Sequence, residues 1–297
     1  MPGQFMDILG AFTTEPPALD FIIPGFLSGT VGAMFSPGAT GKSFFALELG
    51  CAIAGDVHGC DLLDIQPCGH GPVVYYAAED PEIVLQHRLH AIGSLMPPEA
   101  RQSVAEGLKI RPVAGRCFDI MSEHKFQEVE EECAGARLIV LDTLSRVHTQ
   151  DENDNGQMAA LLQALEALAF RTGAGVLFLH HVSKAAARDG QGDQQHASRG
   201  ASVLTDNARF GAAIAKMSKE EAGRWSTDPV SLEPIGDRRG WFVRYSVPKQ
   251  NYSKPIEDQW FQRGDGGVLT PVNLYPAKGG GGGKKATAAA RRQHDGF

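Results

Sequence analysis

The residues best suited to chemistry lie in one short run, Ser36-Pro37-Gly38-Ala39-Thr40-Gly41-Lys42-Ser43. It follows the apolar segment Thr30-Val31-Gly32-Ala33-Met34-Phe35 and leads into a helical pattern from Lys42 to Ala54. A strand, a glycine-containing turn and a Gly-Lys-Ser opening a helix form the setting in which such a run binds phosphate. Backbone N–H groups and the positive end of the helix dipole would face the β- and γ-phosphates of a nucleotide. Lys42 adds a point charge there, and the Ser43 hydroxyl is placed to hold Mg²⁺. The usual pattern carries glycine where this chain has Ser36, so that residue must adopt backbone angles open to a non-glycine side chain.

Two carboxylates and a histidine pair are placed to complete such a site. Arg137-Leu138-Ile139-Val140-Leu141-Asp142-Thr143 reads as a buried strand ending in a carboxylate, about a hundred residues after the phosphate loop. An acid there holds Mg²⁺ together with Ser43. Glu79 ends another apolar run, Pro72–Ala78, where a carboxylate can position and deprotonate an attacking water. Asp80 competes for that role, but the helix signal from Pro81 makes Asp80 the expected N-cap and leaves Glu79 for chemistry. His180-His181 ends the run Gly175–Leu179, and His181 is the expected sensor of a γ-phosphate.

Further along, Arg209 and Lys249 each stand at the end of an expected strand. Either could reach the nucleotide of a neighbouring chain as a trans-acting cation. The polar segment 183–202 carries Lys184, Arg188 and Arg199 among small residues, with no aromatic side chain for base stacking. It reads as a phosphate-contacting binder of single-stranded nucleic acid.

These residues need a scaffold that brings strand ends together. From Gly29 the pattern alternates between apolar runs and amphipathic stretches: strands at 30–35, 72–78, 109–113, 137–141 and 175–179, helices at 42–54, 81–93, 122–133 and 156–171. In the last helix Met158, Leu161, Leu162, Leu165, Leu168 and Ala169 share one face. Alternation of this kind predicts an α/β fold, a mostly parallel central sheet flanked by helices. Near-continuous apolar strands suit a sheet covered on both faces. Segments near 210–216, 241–247 and 267–272 read as antiparallel strands that follow. Residues 1–28 form an arm whose Phe5, Ile8, Leu9 and Phe12 pack on this chain or on a neighbour. Residues 29–275 form the main domain, and 276–297 a Gly-rich basic tail.

Composition bounds the partners. The 297 residues carry a net charge of −7, which argues against a coat of basic charge for nucleic acid but leaves room for a basic channel. No apolar run is long enough for a membrane span, and no secretory signal is readable. Five scattered cysteines fit reduced thiols in a cytoplasm. His58-Gly59-Cys60 and Cys68-Gly69-His70 have one residue between ligands, too few for the usual zinc spacing.

Together these motifs resemble the RecA-like ATPase core of hexameric replicative helicases, in particular the small plasmid-encoded ones. The resemblance rests on Thr30-Val31-Gly32-Ala33, Ser36-Pro37-Gly38, Ala78-Glu79-Asp80-Pro81, His87-Arg88-Leu89-His90-Ala91, Val140-Leu141-Asp142-Thr143, Phe178-Leu179-His180-His181 and Ala197-Ser198-Arg199-Gly200. Trp260-Phe261 and Asp265-Gly266-Gly267-Val268-Leu269 extend it to about Val272, and Ser at position 36 is shared. The resemblance makes residues 29–275 an ATPase and helicase domain. It implies ATP and Mg²⁺ as cofactors, with Lys42, Ser43 and Asp142 binding them. It implies Glu79 as catalytic base, His181 as γ-phosphate sensor and Arg209 as the finger into the next subunit. It further implies a homohexamer around single-stranded DNA moving 5′ to 3′, in a bacterial cytoplasm, with plasmid initiator and primase proteins as partners. A RecA-like ATP-dependent switch that does not unwind DNA is the alternative expectation.

Overall fold

The computed structural model describes residues 5–182, 203–204 and 206–278. After a short helix α1 (Ile8–Thr13), the strands β1 (Phe21–Ile23) and β2 (Phe26–Leu27) pair as a hairpin. β3 (Val31–Ser36) then leads into α2 (Lys42–Ala54). β4 (Val73–Ala77), α3 (Glu82–Ser94), α4 (Pro98–Gly107), β5 (Leu108–Pro112), α5 (Glu123–Glu132), β6 (Leu138–Asp142), α6 (Asn155–Thr172) and β7 (Gly175–His181) follow in alternation. The remainder comprises β8 (Phe210–Lys216), α7 (Lys219–Arg224), β9 (Trp225–Ser226), β10 (Phe242–Gln250), β11 (Gln259–Arg263), β12 (Leu269–Pro271) and β13 (Tyr275–Pro276).

Among the described residues, nine of these strands form one sheet in the order β12-β11-β10-β8-β3-β7-β6-β4-β5. The six from β8 to β5 are parallel, and β10, β11 and β12 add antiparallel pairs at the edge. The strand that carries the phosphate loop therefore lies inside the sheet, between β7 and β8. The period-2 alternation of each strand divides the core between two faces. Tyr75, Val140, Leu177 and Leu179 point to the face covered by α2, α3 and α4. Tyr76, Ile139, Leu141 and Phe178 point to the face covered by α5 and α6. All six residues expected on the buried face of α6 are buried. That helix is started by Asp154, whose carboxylate accepts from the Gly156 and Gln157 N–H groups, and it stops at Gly173 with φ 71°.

Four expectations need correction. Segment 210–216 is a strand, but it runs parallel to β3 with Gly32 opposite Phe210, and only its other edge, on β10, is antiparallel. Asp80 does not cap α3: Pro81 occupies the N-cap, and the Asp80 carboxylate instead pairs with Arg88 at 2.7 Å. Helix α4 and strand β11 were not anticipated. In α4 only Ala100 and Val104 are buried, too narrow a stripe to read as periodic. Of residues 1–28, Ile22, Ile23 and Phe26 are buried in the main core, while α1 has no buried residue. Segment 183–202 and tail residues 279–297 lie outside the described residues.

One core group is unusual. Glu48 on α2 is 0 % exposed, and its Oε1 accepts the Leu269 N–H of β12 at 2.9 Å while Oε2 has no partner among the described residues. Burial pushes its carboxyl up to about 8, slightly opposed by that hydrogen bond. The acid is thus neutral in the folded chain where it would be ionised in the unfolded one. Its contribution is fully present below the unfolded value near 4.5 and is lost as pH rises towards about 8. Glu48→Gln keeps an acceptor for Leu269 and cannot ionise. It is expected to raise Tm at pH 8 by several degrees and to leave Tm near pH 4.5 unchanged, as thermal melts across that range would show.

Candidate nucleotide site

β3 ends at Ser36 in extended backbone, so the position usually held by glycine makes no demand that serine cannot meet. The left-handed angles fall later in the loop, at Ala39 (φ 59°) and Gly41 (φ 106°). The Thr40 hydroxyl donates to the Pro37 carbonyl at 2.7 Å and closes the loop on itself. Gly41 serves as N-cap of α2 without a side-chain bond, so the first amides of that helix keep their donors for another partner. These residues with Glu79, Asp80, Arg88 and His181 line one pocket.

Lys42 is buried, with Nζ 3.4 Å from the Thr143 hydroxyl, which itself donates to the Leu179 carbonyl at 2.6 Å. Burial lowers the ammonium from its ordinary range, while Asp142 and Glu79 favour the charged form. An ammonium held at the mouth of a helix N-terminus, short of full compensation, is suited to receive an anion.

Asp142, at the end of β6, is 2 % exposed. Its Oδ2 accepts the Tyr75 phenol at 2.6 Å, and its Oδ1 has no partner among the described residues. Burial raises the carboxyl, opposed by the Tyr75 bond, Lys42 and the Ser43 hydroxyl. A buried carboxylate oxygen without a donor, beside the serine that opens α2, fits a hydrated divalent cation.

Glu79 and His181 follow from strands β4 and β7, which stand two positions apart in the sheet, and their side chains meet directly. The His181 Nε2 lies 3.0 Å from Glu79 Oε1. Both side chains remain partly open to solvent, at 39 % for His181 and 33 % for Glu79. His180 points the other way, edge-on to Phe35, and burial foremost pushes it down to about 4, so it is neutral near pH 7. Of the histidine pair, only His181 faces the pocket.

The structure therefore brings together Ser36 to Ser43, Glu79, Asp142 and His181. It separates Arg209 and Lys249 from them. The Arg209 N–H donates to the Val31 carbonyl, at the start of β3, and Lys249 pairs with Gly211. Both lie at the end of the sheet opposite the phosphate loop, about five strand residues or roughly 16 Å away. The Lys249 ammonium donates to the Asp206 carbonyl at 2.5 Å, and the nearby Arg209 helps to lower it, after burial. Lys184, Arg188 and Arg199 lie outside the described residues.

Tyr75, Thr143, Phe44 and Arg88 were not singled out for the site. Arg88 lies over the Phe44 ring at 5.3 Å and reaches Asp80. A signal existed for Tyr75 alone, since a tyrosine in a strand buried on both faces needs a partner for its hydroxyl.

The AAA domain family matches residues 2–187, more than half of the chain. The chain belongs to that family. Its fold is that of the RecA-like ATPases. The solved ATPase domain of a helicase is similar at TM-score 0.50, with 13 % identity, covering 82 % of this chain and 86 % of that one. The RadB recombinase is similar at TM-score 0.51, with 12 % identity, covering 83 % and 90 %. Among the described residues, no helix is long and apolar enough to cross a membrane.

Proposed function

We propose that the chain is an ATP-driven ring helicase of the plasmid-encoded hexameric type, coupling hydrolysis at subunit interfaces to 5′-to-3′ movement on single-stranded DNA. The observation that carries this reading is the division of the site. The phosphate loop, Glu79, Asp142 and His181 converge at one end of the sheet, while Arg209 and Lys249 lie at the other. Within one chain those cations cannot reach the pocket; in a ring they face the pocket of the next subunit. The exposed apolar face of α1, with Ile8 54 %, Leu9 72 % and Phe12 82 % open, supports assembly by offering a surface to a neighbour.

The residues take the following roles. The amides of α2 and Lys42 bind the β- and γ-phosphates of ATP, and Ser43 and Asp142 hold Mg²⁺ through its water shell. Mg²⁺ supplies neutralisation of charge on the phosphate oxygens. Glu79 accepts the proton of the attacking water, and His181, bonded to Glu79, registers loss of the γ-phosphate. The Val182 N–H, next in the chain, donates to the Ser36 carbonyl, so the segment carrying Lys184, Arg188 and Arg199 begins at the loop itself. Those three cations would grip DNA phosphates. The plasmid setting and the cytoplasmic location, with initiator and primase proteins as partners, follow from the resemblance and belong to the same proposal.

Tyr75→Phe removes one hydroxyl from the Asp142 carboxylate and nothing from the fold's packing. It is expected to raise the Mg²⁺ concentration for half-maximal nucleotide binding roughly tenfold, as orienting partners of metal-holding groups do. Magnesium titration with a fluorescent nucleotide analogue measures this; an unchanged midpoint would remove Tyr75 from the account. The function itself is tested by strand displacement on partial duplexes. Unwinding from a 5′ tail and not from a 3′ tail supports it, and ATP turnover without unwinding of either would leave an ATP-dependent switch.

A further inference from the structure

The antiparallel strands at the edge of the sheet reach back to the phosphate loop. Arg263 is the last residue of β11, paired with Leu269 of β12. Its Nη2 donates to the Thr40 carbonyl at 2.6 Å, across 223 residues of sequence. The same nitrogen lies so near Gly41 that a Cβ there would stand 2.8 Å from it. The turn joining β11 to β12 is seated just as closely, since a Cβ on Gly267 would meet the Phe44 ring at 2.8 Å. Glu48 fixes the other side of the hairpin through the Leu269 N–H. The hairpin is thus clamped on the first turn of α2 and on the loop before it.

The consequence lies in the peptide between Thr40 and Gly41. In a planar trans peptide the carbonyl and the following N–H point in opposite directions. Arg263 draws the Thr40 carbonyl towards the hairpin, so the Gly41 N–H is turned the other way, into the pocket. Without that donor the peptide is free to rotate, because Gly41 tolerates many backbone angles. A rotated peptide would aim a carbonyl oxygen at the place where a phosphate oxygen sits. The Arg263 Nε has no partner among the described residues, so the guanidinium's hold on the chain runs through its terminal nitrogens.

We propose that Arg263 is a positioning residue for phosphate binding: it holds the phosphate loop in its donor-inward form from a strand at the edge of the sheet. This inference rests on the reading of residues 36–43 as a phosphate loop. It gives the C-terminal hairpin a function beyond packing, that of setting the nucleotide affinity of the loop.

The test uses the full chain and fluorescent ADP. Arg263→Met keeps the apolar stem and removes every donor; Arg263→Lys restores one. ADP affinity is expected to fall roughly tenfold or more in the Met variant and by less in the Lys variant, while Tm without nucleotide stays within a few degrees. Affinity equal to the unsubstituted chain in a folded Met variant would overturn the inference. So would a loss that merely tracks a fall in nucleotide-free Tm. If the Met variant does not fold, the Lys variant decides: a several-fold loss supports the inference and full affinity overturns it. Failure of the unsubstituted chain to bind ADP would instead overturn the reading of the loop.

Discussion

Glu79→Gln is expected to lower ATP turnover by roughly 10²- to 10⁴-fold while nucleotide affinity changes by no more than a few-fold. The size follows from the role. A carboxylate that accepts the water's proton contributes only in the transition state, so its loss appears in kcat and not in binding. Glutamine has nearly the same shape and keeps an oxygen for the His181 ring, which lies 3.0 Å from Glu79. The pocket is therefore preserved and only the basicity is lost. Asp80 is the control, because its carboxylate is occupied by Arg88 at 2.7 Å. Asp80→Asn should keep turnover within about tenfold of the unsubstituted chain. If Asp80→Asn proves the more damaging of the two, the base has been assigned to the wrong neighbour. Steady-state hydrolysis with a parallel binding titration separates these outcomes.

Arg209→Ala carries the second large effect. An arginine supplied by a neighbour contributes about 10³- to 10⁵-fold to hydrolysis in related chemistry. Turnover should fall by roughly 10³-fold or more, with ATP binding intact, because Arg209 lies at the far end of β8 from its own phosphate loop. Mixing provides the sharper readout. Arg209→Ala chains keep a complete pocket, and Lys42→Ala chains keep a complete Arg209. Neither should turn over alone, yet a mixed ring contains interfaces in which the second completes the first. Recovery of turnover on mixing is the expected result. Lys249→Ala in the same assay ranks the two cations, which lie close enough for Arg209 to depress the lysine's ammonium. A loss of ATP binding in Arg209→Ala, or no recovery on mixing, would contradict action in trans.

Much of this architecture was legible in the chain because parallel strands covered on both faces leave a direct imprint. Val73 to Ala77 and Leu138 to Asp142 are buried at every position, and both read as unbroken apolar runs. The phosphate loop was legible because its chemistry is local: a strand, a turn and a helix start within a short stretch of chain. Glu79, Asp142 and His181 were legible because all three stand at the carboxyl ends of parallel strands, where such a sheet gathers its ligands.

What was not legible depends on contacts between distant segments. The direction of β8 is set by its neighbour β3, and nothing in Phe210 to Lys216 distinguishes a parallel strand from an antiparallel one. Asp80 followed by proline carries a sound capping signal, but Arg88, about two helical turns further along, took the carboxylate instead. Helix α4 begins with a favourable proline, yet it turns so little apolar surface inward that its pattern is faint. Tyr75 and Arg263 reach their partners across 67 and 223 residues. Such pairings belong to the assembled sheet, not to any window of sequence.

The measurement that most directly tests the central claim is ATP turnover per chain as a function of protein concentration, with and without single-stranded DNA, alongside the mass of the particle in solution. A site completed by the neighbouring subunit predicts that turnover per chain rises steeply as rings form, reaches its plateau at a mass of six chains, and is stimulated by DNA. Turnover per chain that is constant down to concentrations where the protein is monomeric, and indifferent to DNA, would contradict it.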